Sequence, residues 1–156
     1  MKIVYHWTLF ATLLFSTATM AEANKPAVVT KSINSSTSIT LTETERAIVR
    51  GEMGKFLAGL QQITLALAND DMQTVSEVAT TLGPQMMRNV SRQLLKSKLP
   101  KGFMQFGRAT HNSFNVIAQN AKDLGDRQLI LKQLSSTLEK CVACHAAYQI
   151  KVESGQ

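Results

Sequence analysis

Apolar residues recur at alternating spacings of four and three along most of this chain, and short runs of turn-forming residues separate the stretches. Val49, Met53, Phe56, Leu60, Ile63 and Leu67 form the first such stripe. That spacing marks one face of an amphipathic helix, predicted to start near Thr42 and end near Asn69. Its start carries a capping box. Thr42 precedes Glu45 by three, so the hydroxyl can accept an amide of the first turn while the carboxylate reaches back. Thr40 with Glu43 offers the same pairing slightly earlier, and the glutamates suit the positive end of the helix dipole. Asp70 or Asp71 can cap a second helix, whose stripe begins Val75, Val78, Leu82. Gly83-Pro84 breaks it, because proline brings no N–H and its ring clashes with the preceding turn. A second piece, "QMMRNVSRQLL", is expected to continue to about Lys96.

Pro100 and Gly102 punctuate the next turn. A third helix is expected from about Phe103 to Lys122, with Phe106, Thr110, Phe114, Ile117 and Ala121 on one side. Gly125 marks a turn and Asp126 caps a fourth helix. Its stripe is Leu131, Leu134, Leu138, Cys141, His145, Tyr148 and Val152. No segment alternates with period two for long enough to read as a strand. Four amphipathic helices with short connections predict an all-α fold, an antiparallel four-helix bundle.

The first residues read differently. "MKIVYHWTLFATLLFSTATMAEA" has a basic start at Lys2, an apolar run from about Trp7 to Phe15, and a small-residue close at Ala21-Glu22-Ala23. That is the pattern of a secretory signal peptide, residues 1–23. The run is shorter than the roughly 20 residues of a membrane span. The pattern implies export to the periplasm, with a cut after Ala23. Asn24 to Leu41 is rich in Ser and Thr, lacks a helical period, contains Pro26, and is expected to be a flexible lead-in. The domain proper is residues 42–153.

The net charge of +6 is unchanged by loss of the signal segment, which removes Lys2 and Glu22 together. Export and the absence of a tight Lys/Arg cluster argue against nucleic acid, so the charge reads as a solvated face, compatible with an acidic partner.

Both cysteines of the chain, Cys141 and Cys144, fall in "EKCVACHAAY". On a helix, Cys141, Cys144 and His145 project in neighbouring directions. A structural zinc site wants four ligands, and after removal of His6 only His111 remains to add. A dithiol oxidoreductase sets its pair at a helix N-terminus near a βαβ unit, whereas here the pair is late in a helix. A disulfide across so short a loop gains little from chain entropy. Covalent haem attachment uses all three residues in order: each thiol adds across a haem vinyl as a thioether, and the next residue, His145, coordinates iron.

A C-x-x-C-H on the last helix of a four-helix bundle resembles the class II c-type cytochromes, the family of cytochrome c-prime. "CVACHAAY" is similar to that family's ending, in which an aromatic residue follows the histidine by three. The family often has a basic residue next; here it is Gln149. The resemblance implies one haem c and a distal residue supplied by the first helix. In "VRGEMGKFL" that residue would be Met53, as in the low-spin Met/His branch, with Arg50 a candidate partner for a haem propionate. Met86, Met87 and His111 are weaker candidates for the iron. The implied function is one-electron transport between redox partner proteins, and the implied assembly is a homodimer through the first two helices. No nucleophile–base–acid set is visible, so a substrate-transforming enzyme is not expected. An open distal site would instead give a haem protein that binds nitric oxide or another small gas. A haem-free helical interaction protein is the remaining alternative.

Overall fold

The computed structural model describes residues 36–88 and 95–153, and of Arg88 the backbone alone. The expected signal peptide and most of the expected lead-in lie outside the described residues.

Strand β1, Thr37–Leu41, leads directly into helix α1, Glu43–Ala68. The capping box forms at Thr42: its hydroxyl accepts from the Glu45 N–H at 3.2 Å, and the Glu45 carboxylate accepts from the Thr42 N–H at 2.9 Å. α1 ends at Asn69. Asp70 then takes a positive φ of 55°, a conformation that aspartate tolerates better than most residues. Asp71 caps α2, Met72–Leu82, by accepting the Thr74 N–H at 2.9 Å. Gly83-Pro84 stops α2 as expected. The next residues, Pro84–Arg88, form a 3-10 turn, and residues 89–94 of the expected second piece lie outside the described residues.

Helix α3 spans Lys101–Asp123. Gly125, at φ 61°, supplies the left-handed residue after it, and its N–H returns to the Asn120 carbonyl at 3.2 Å. This is the C-terminal glycine cap that only a residue without Cβ adopts cheaply. Asp126 then caps α4, Arg127–Ala147, through the Leu129 N–H at 3.1 Å.

The fourth helix was expected to run to Val152. It stops at Ala147, and Tyr148–Val152 is strand β2. β2 pairs in parallel with β1, Thr37 opposite Tyr148 through Leu41 opposite Val152. The fold is therefore mostly helical, with four α-helices and one small sheet among the described residues, rather than all-α. The expected lead-in likewise ends in a strand. Ile39 and Leu41 turn into the protein while Ser38 and Thr40 face out, the two-residue alternation of a half-buried strand.

Two apolar clusters hold the fold together. The larger takes residues from every helix, among them Phe56, Ile63, Leu82, Phe114, Ile117, Ile130 and Leu134. The smaller joins Ile39 and Leu41 of β1 to Val49, Leu95 and Leu99, with Tyr148 and Ile150 of β2 against it. α1 packs on α2, α2 on α3 and α3 on α4, while α1 and α4 scarcely touch. Part of the expected α4 stripe is displaced: Leu131 and Leu138 are exposed, and the inward positions are Ile130, Leu134 and Thr137. Lys98 ties the two ends of the small cluster together, pairing with Glu45 at 2.9 Å and with Glu153 at 3.6 Å. Among the described residues no helix is long and apolar enough to cross a membrane.

Candidate functional site

Where α1 and α4 fail to meet there is a cavity of about 310 Å3. Its volume is at the lower end of ordinary cofactor pockets, roughly 300–1,000 Å3. α4 contributes Cys141, Cys144 and His145 from its last turns, the i, i+3, i+4 set that one helix face presents together. α1 contributes Met53 and Phe56 of its stripe with the adjoining Arg50, and α3 contributes Phe106, Thr110 and His111. Tyr148 and Ile150 of β2 close one side, with Leu95 and Leu99. The lining is predominantly carbon, with few polar groups.

Six of the residues singled out from the sequence open onto this cavity: Cys141, Cys144 and His145, with Arg50, Met53 and His111. Met86 does not. It lines a separate open groove between α1 and α2, with Lys55, Gln62 and Val78. Met87 lines neither.

The two cysteines are half-buried and not joined to one another. Cys141 Sγ donates to the Thr137 carbonyl at 3.5 Å. Burial pushes both thiols up, Cys144 to about 11 with Cys141 beside it adding to the rise. Their place near the C-terminus of α4, the negative end of its dipole, also disfavours thiolate. Neutral thiols of this kind are poor nucleophiles for disulfide exchange. Addition of S–H across a vinyl group, sulfur to one carbon and hydrogen to the other, makes use of both without a disulfide. His145 is exposed at the cavity edge.

His111 is fully buried. Its Nδ1 lies 2.7 Å from the Leu82 carbonyl, which can only accept, so Nδ1 carries the proton and donates. Its ring packs on Phe56 with centroids 4.9 Å apart, and Phe56 stacks on Phe114 at 5.5 Å. His111 is thus a hydrogen-bonded residue of the core. Met53 is 37% exposed, so it stands at the rim rather than deep in the apolar stripe.

Aromatic packing shapes the β2 side. The Tyr148 ring meets Phe103 edge-on at 5.6 Å and Phe106 at 6.3 Å. Gly102 gives the Tyr148 hydroxyl its room, since a Cβ there would collide with it. The sequence flagged Phe106 and Tyr148 but did not mark as lining Leu95, Leu99 in the turn before α3, or Ile150 in an unforeseen strand. The alternation of "YQIKV" was the signal available.

Among the described residues no three His, Cys, Asp or Glu side chains converge to hold a metal ion by themselves. Two thiols and an imidazole stand at one wall of the cavity, with a thioether and a second imidazole on others. The chain matches no protein-family model, no curated protein and no solved structure in comparisons with each.

Proposed function

We propose that this chain is a periplasmic monohaem c-type cytochrome that carries single electrons, built as an antiparallel four-helix bundle of the class II kind. One observation carries the reading: the C-x-x-C-H residues open onto an apolar cavity lying where α1 and α4 would otherwise pack. The three-residue connections Asn69–Asp71 and Leu124–Asp126, too short to lead anywhere but back, support antiparallel neighbours.

In this reading Cys141 and Cys144 hold haem c by thioether bonds, His145 is the proximal iron ligand and Met53 the distal one. Bound haem supplies one-electron chemistry at iron. The chain supplies the rest. Phe56, Phe106 and Leu99 exclude water, which lowers the local dielectric and favours the less charged iron state. A thioether ligand raises the reduction potential further. Arg50 is exposed at the rim, suited to pair with a propionate. Lys101, Arg108 and Lys151, all exposed, stand close in sequence to lining residues, which supports an acidic redox partner. On the outer face of α1, Leu57 and Leu65 are 70% and 57% exposed, which supports a homodimer.

The test is the purified protein from an exporting, haem-attaching host. Haem that stays with the chain through denaturing electrophoresis is expected, with a low-spin oxidised spectrum carrying a sulfur-to-iron charge-transfer band. Met53→Ala removes that band. Haem-free chain would return the protein to the interaction-module reading. A high-spin wild-type spectrum that shifts with nitric oxide or carbon monoxide would favour gas binding.

A further inference from the structure

We propose that a second copy of this chain seats antiparallel on the outer face of α4, along Leu131, Leu138 and Val142. This gives the homodimer of the reading above its interface; it rests on that part of the reading alone and is independent of haem.

Leu131, Leu138 and Val142 are 42% to 66% exposed. An α-helix turns by about 100° per residue, so the positions seven and eleven beyond Leu131 fall about 20° to either side of it. The three side chains therefore share one narrow stripe. That stripe lies about a quarter turn around α4 from the buried positions Ile130, Leu134 and Thr137. None of the three lines the cavity. Neither the core nor the candidate site accounts for them. Leu57 and Leu65 on α1 differ, because they stand about 80° apart around their helix and make no such stripe.

The α4 stripe reads alike in both directions. Ser135, also exposed, completes it as positions 131, 135, 138 and 142, with spacings of four, three and four. This is the spacing of a two-stranded helical seam. Two copies laid antiparallel about a two-fold axis set Leu131 on the partner's Val142 and Ser135 on the partner's Leu138, and the symmetry makes each contact twice. Charge agrees with that pairing. Lys132 and Glu139 are exposed and lie on one flank of the seam, about 20° apart around the helix. Among the described residues neither forms an ion pair within its own chain. In the antiparallel arrangement Lys132 comes within reach of the partner's Glu139, and Glu139 within reach of the partner's Lys132. The face is thus complementary to itself in charge as well as in spacing. It is one helix wide, which places the contact among small, reversible interfaces.

The experiment is sedimentation of the mature protein over roughly 1 µM to 1 mM, near physiological ionic strength. Wild type is expected to show a reversible monomer–dimer equilibrium. Lys132→Glu and Glu139→Lys each set like charges against one another at both symmetry-related pairs, and each should weaken the dimer by about ten-fold. An equimolar mixture of the two variants regains both pairs in the mixed dimer and should recover wild-type association. Leu138→Asp should be monomeric throughout. Circular dichroism checks that each variant keeps its helix content, as expected of exposed positions. Wild type that stays monomeric at every concentration overturns the proposal, and so does a dimer that Leu138→Asp leaves intact. A mixture no tighter than the single variants overturns the antiparallel register, and the proposal with it. None of these results bears on covalent haem, whose absence would instead defeat the cytochrome reading.

Discussion

Leu41 is the residue on which the strand pair and the second apolar cluster both depend, and Leu41→Ala measures them together. The side chain is wholly buried among Val49, Leu95 and Leu99. Alanine removes three carbon atoms. At about 0.8 kcal/mol per buried methylene, lost transfer alone is roughly 2.4 kcal/mol. The space left cannot close easily. Leu41 pairs with Val152, and its carbonyl accepts the Glu153 N–H at 2.9 Å, so the backbone is tied. Residual cavity then adds on the order of 1 kcal/mol, for a total of about 3 to 4 kcal/mol, inside the range of Leu→Ala changes in cores. Urea unfolding of wild type and variant in the same haem state should show the midpoint falling with the slope unchanged. The melting temperature should drop by roughly 10 °C or more. Thr40→Ala is the control, because its side chain faces solvent on the same strand and should cost no more than about 0.5 kcal/mol. A Leu41→Ala loss below about 1 kcal/mol, or equal losses at the two positions, would refute both the register and the packing argument.

Two further perturbations test the neighbourhood of the site. Gly102→Ala should destabilise by about 1 to 3 kcal/mol through overpacking, because the new Cβ meets the Tyr148 hydroxyl; without that oxygen the nearest ring atom stands at an ordinary 3.6 Å. In a Tyr148→Phe background the same change should therefore cost much less, and a double-mutant cycle showing no coupling would defeat the explanation. Glu45 is held below the usual carboxylate range, chiefly by its hydrogen bond to Lys98 and then by the Thr42 N–H. A carboxylate lowered on folding adds stability that is present above its unfolded pKa and disappears as pH falls through the folded one. Glu45→Gln should accordingly be less stable than wild type near neutral pH, with the gap closing under acid; a gap independent of pH in denaturation midpoints would exclude this role.

The helical part of the fold was legible because its signals are local. The Thr42 box, the break at Gly83-Pro84, the left-handed Gly125 and the Asp126 cap each act within a few residues, and each acts as read. The candidate site was legible for the same reason, since i, i+3, i+4 spacing alone aligns Cys141, Cys144 and His145. The strands were not. Tyr148 and Val152 continue the three-four spacing of α4 and also fit a strand, and only a partner far away decides between them. That partner, "TSITL", looks like part of a polar lead-in until Ile39 and Leu41 find cover. The offset of the α4 stripe has a similar cause: Leu131 and Leu138 fit the period as well as Ile130 and Thr137, and packing against α3 chose the second pair. His111 depends on a carbonyl exposed by a helix break in another element, which no spacing rule encodes.

The β1–β2 pairing joins residues 111 positions apart, as the Ser38 and Gln149 side chains also do. Closing so long a loop is an entropic cost met late, and distant pairings slow folding. A chain emerging from its N-terminus makes α1 with β1 still unpartnered, then α2, α3 and α4, and only afterwards the strand that completes the sheet. The order of assembly thus leaves the C-x-x-C-H helix unwalled on its β side until the last stage. On the haem reading proposed above, attachment at those thiols has its widest access there, before the final strand pairs.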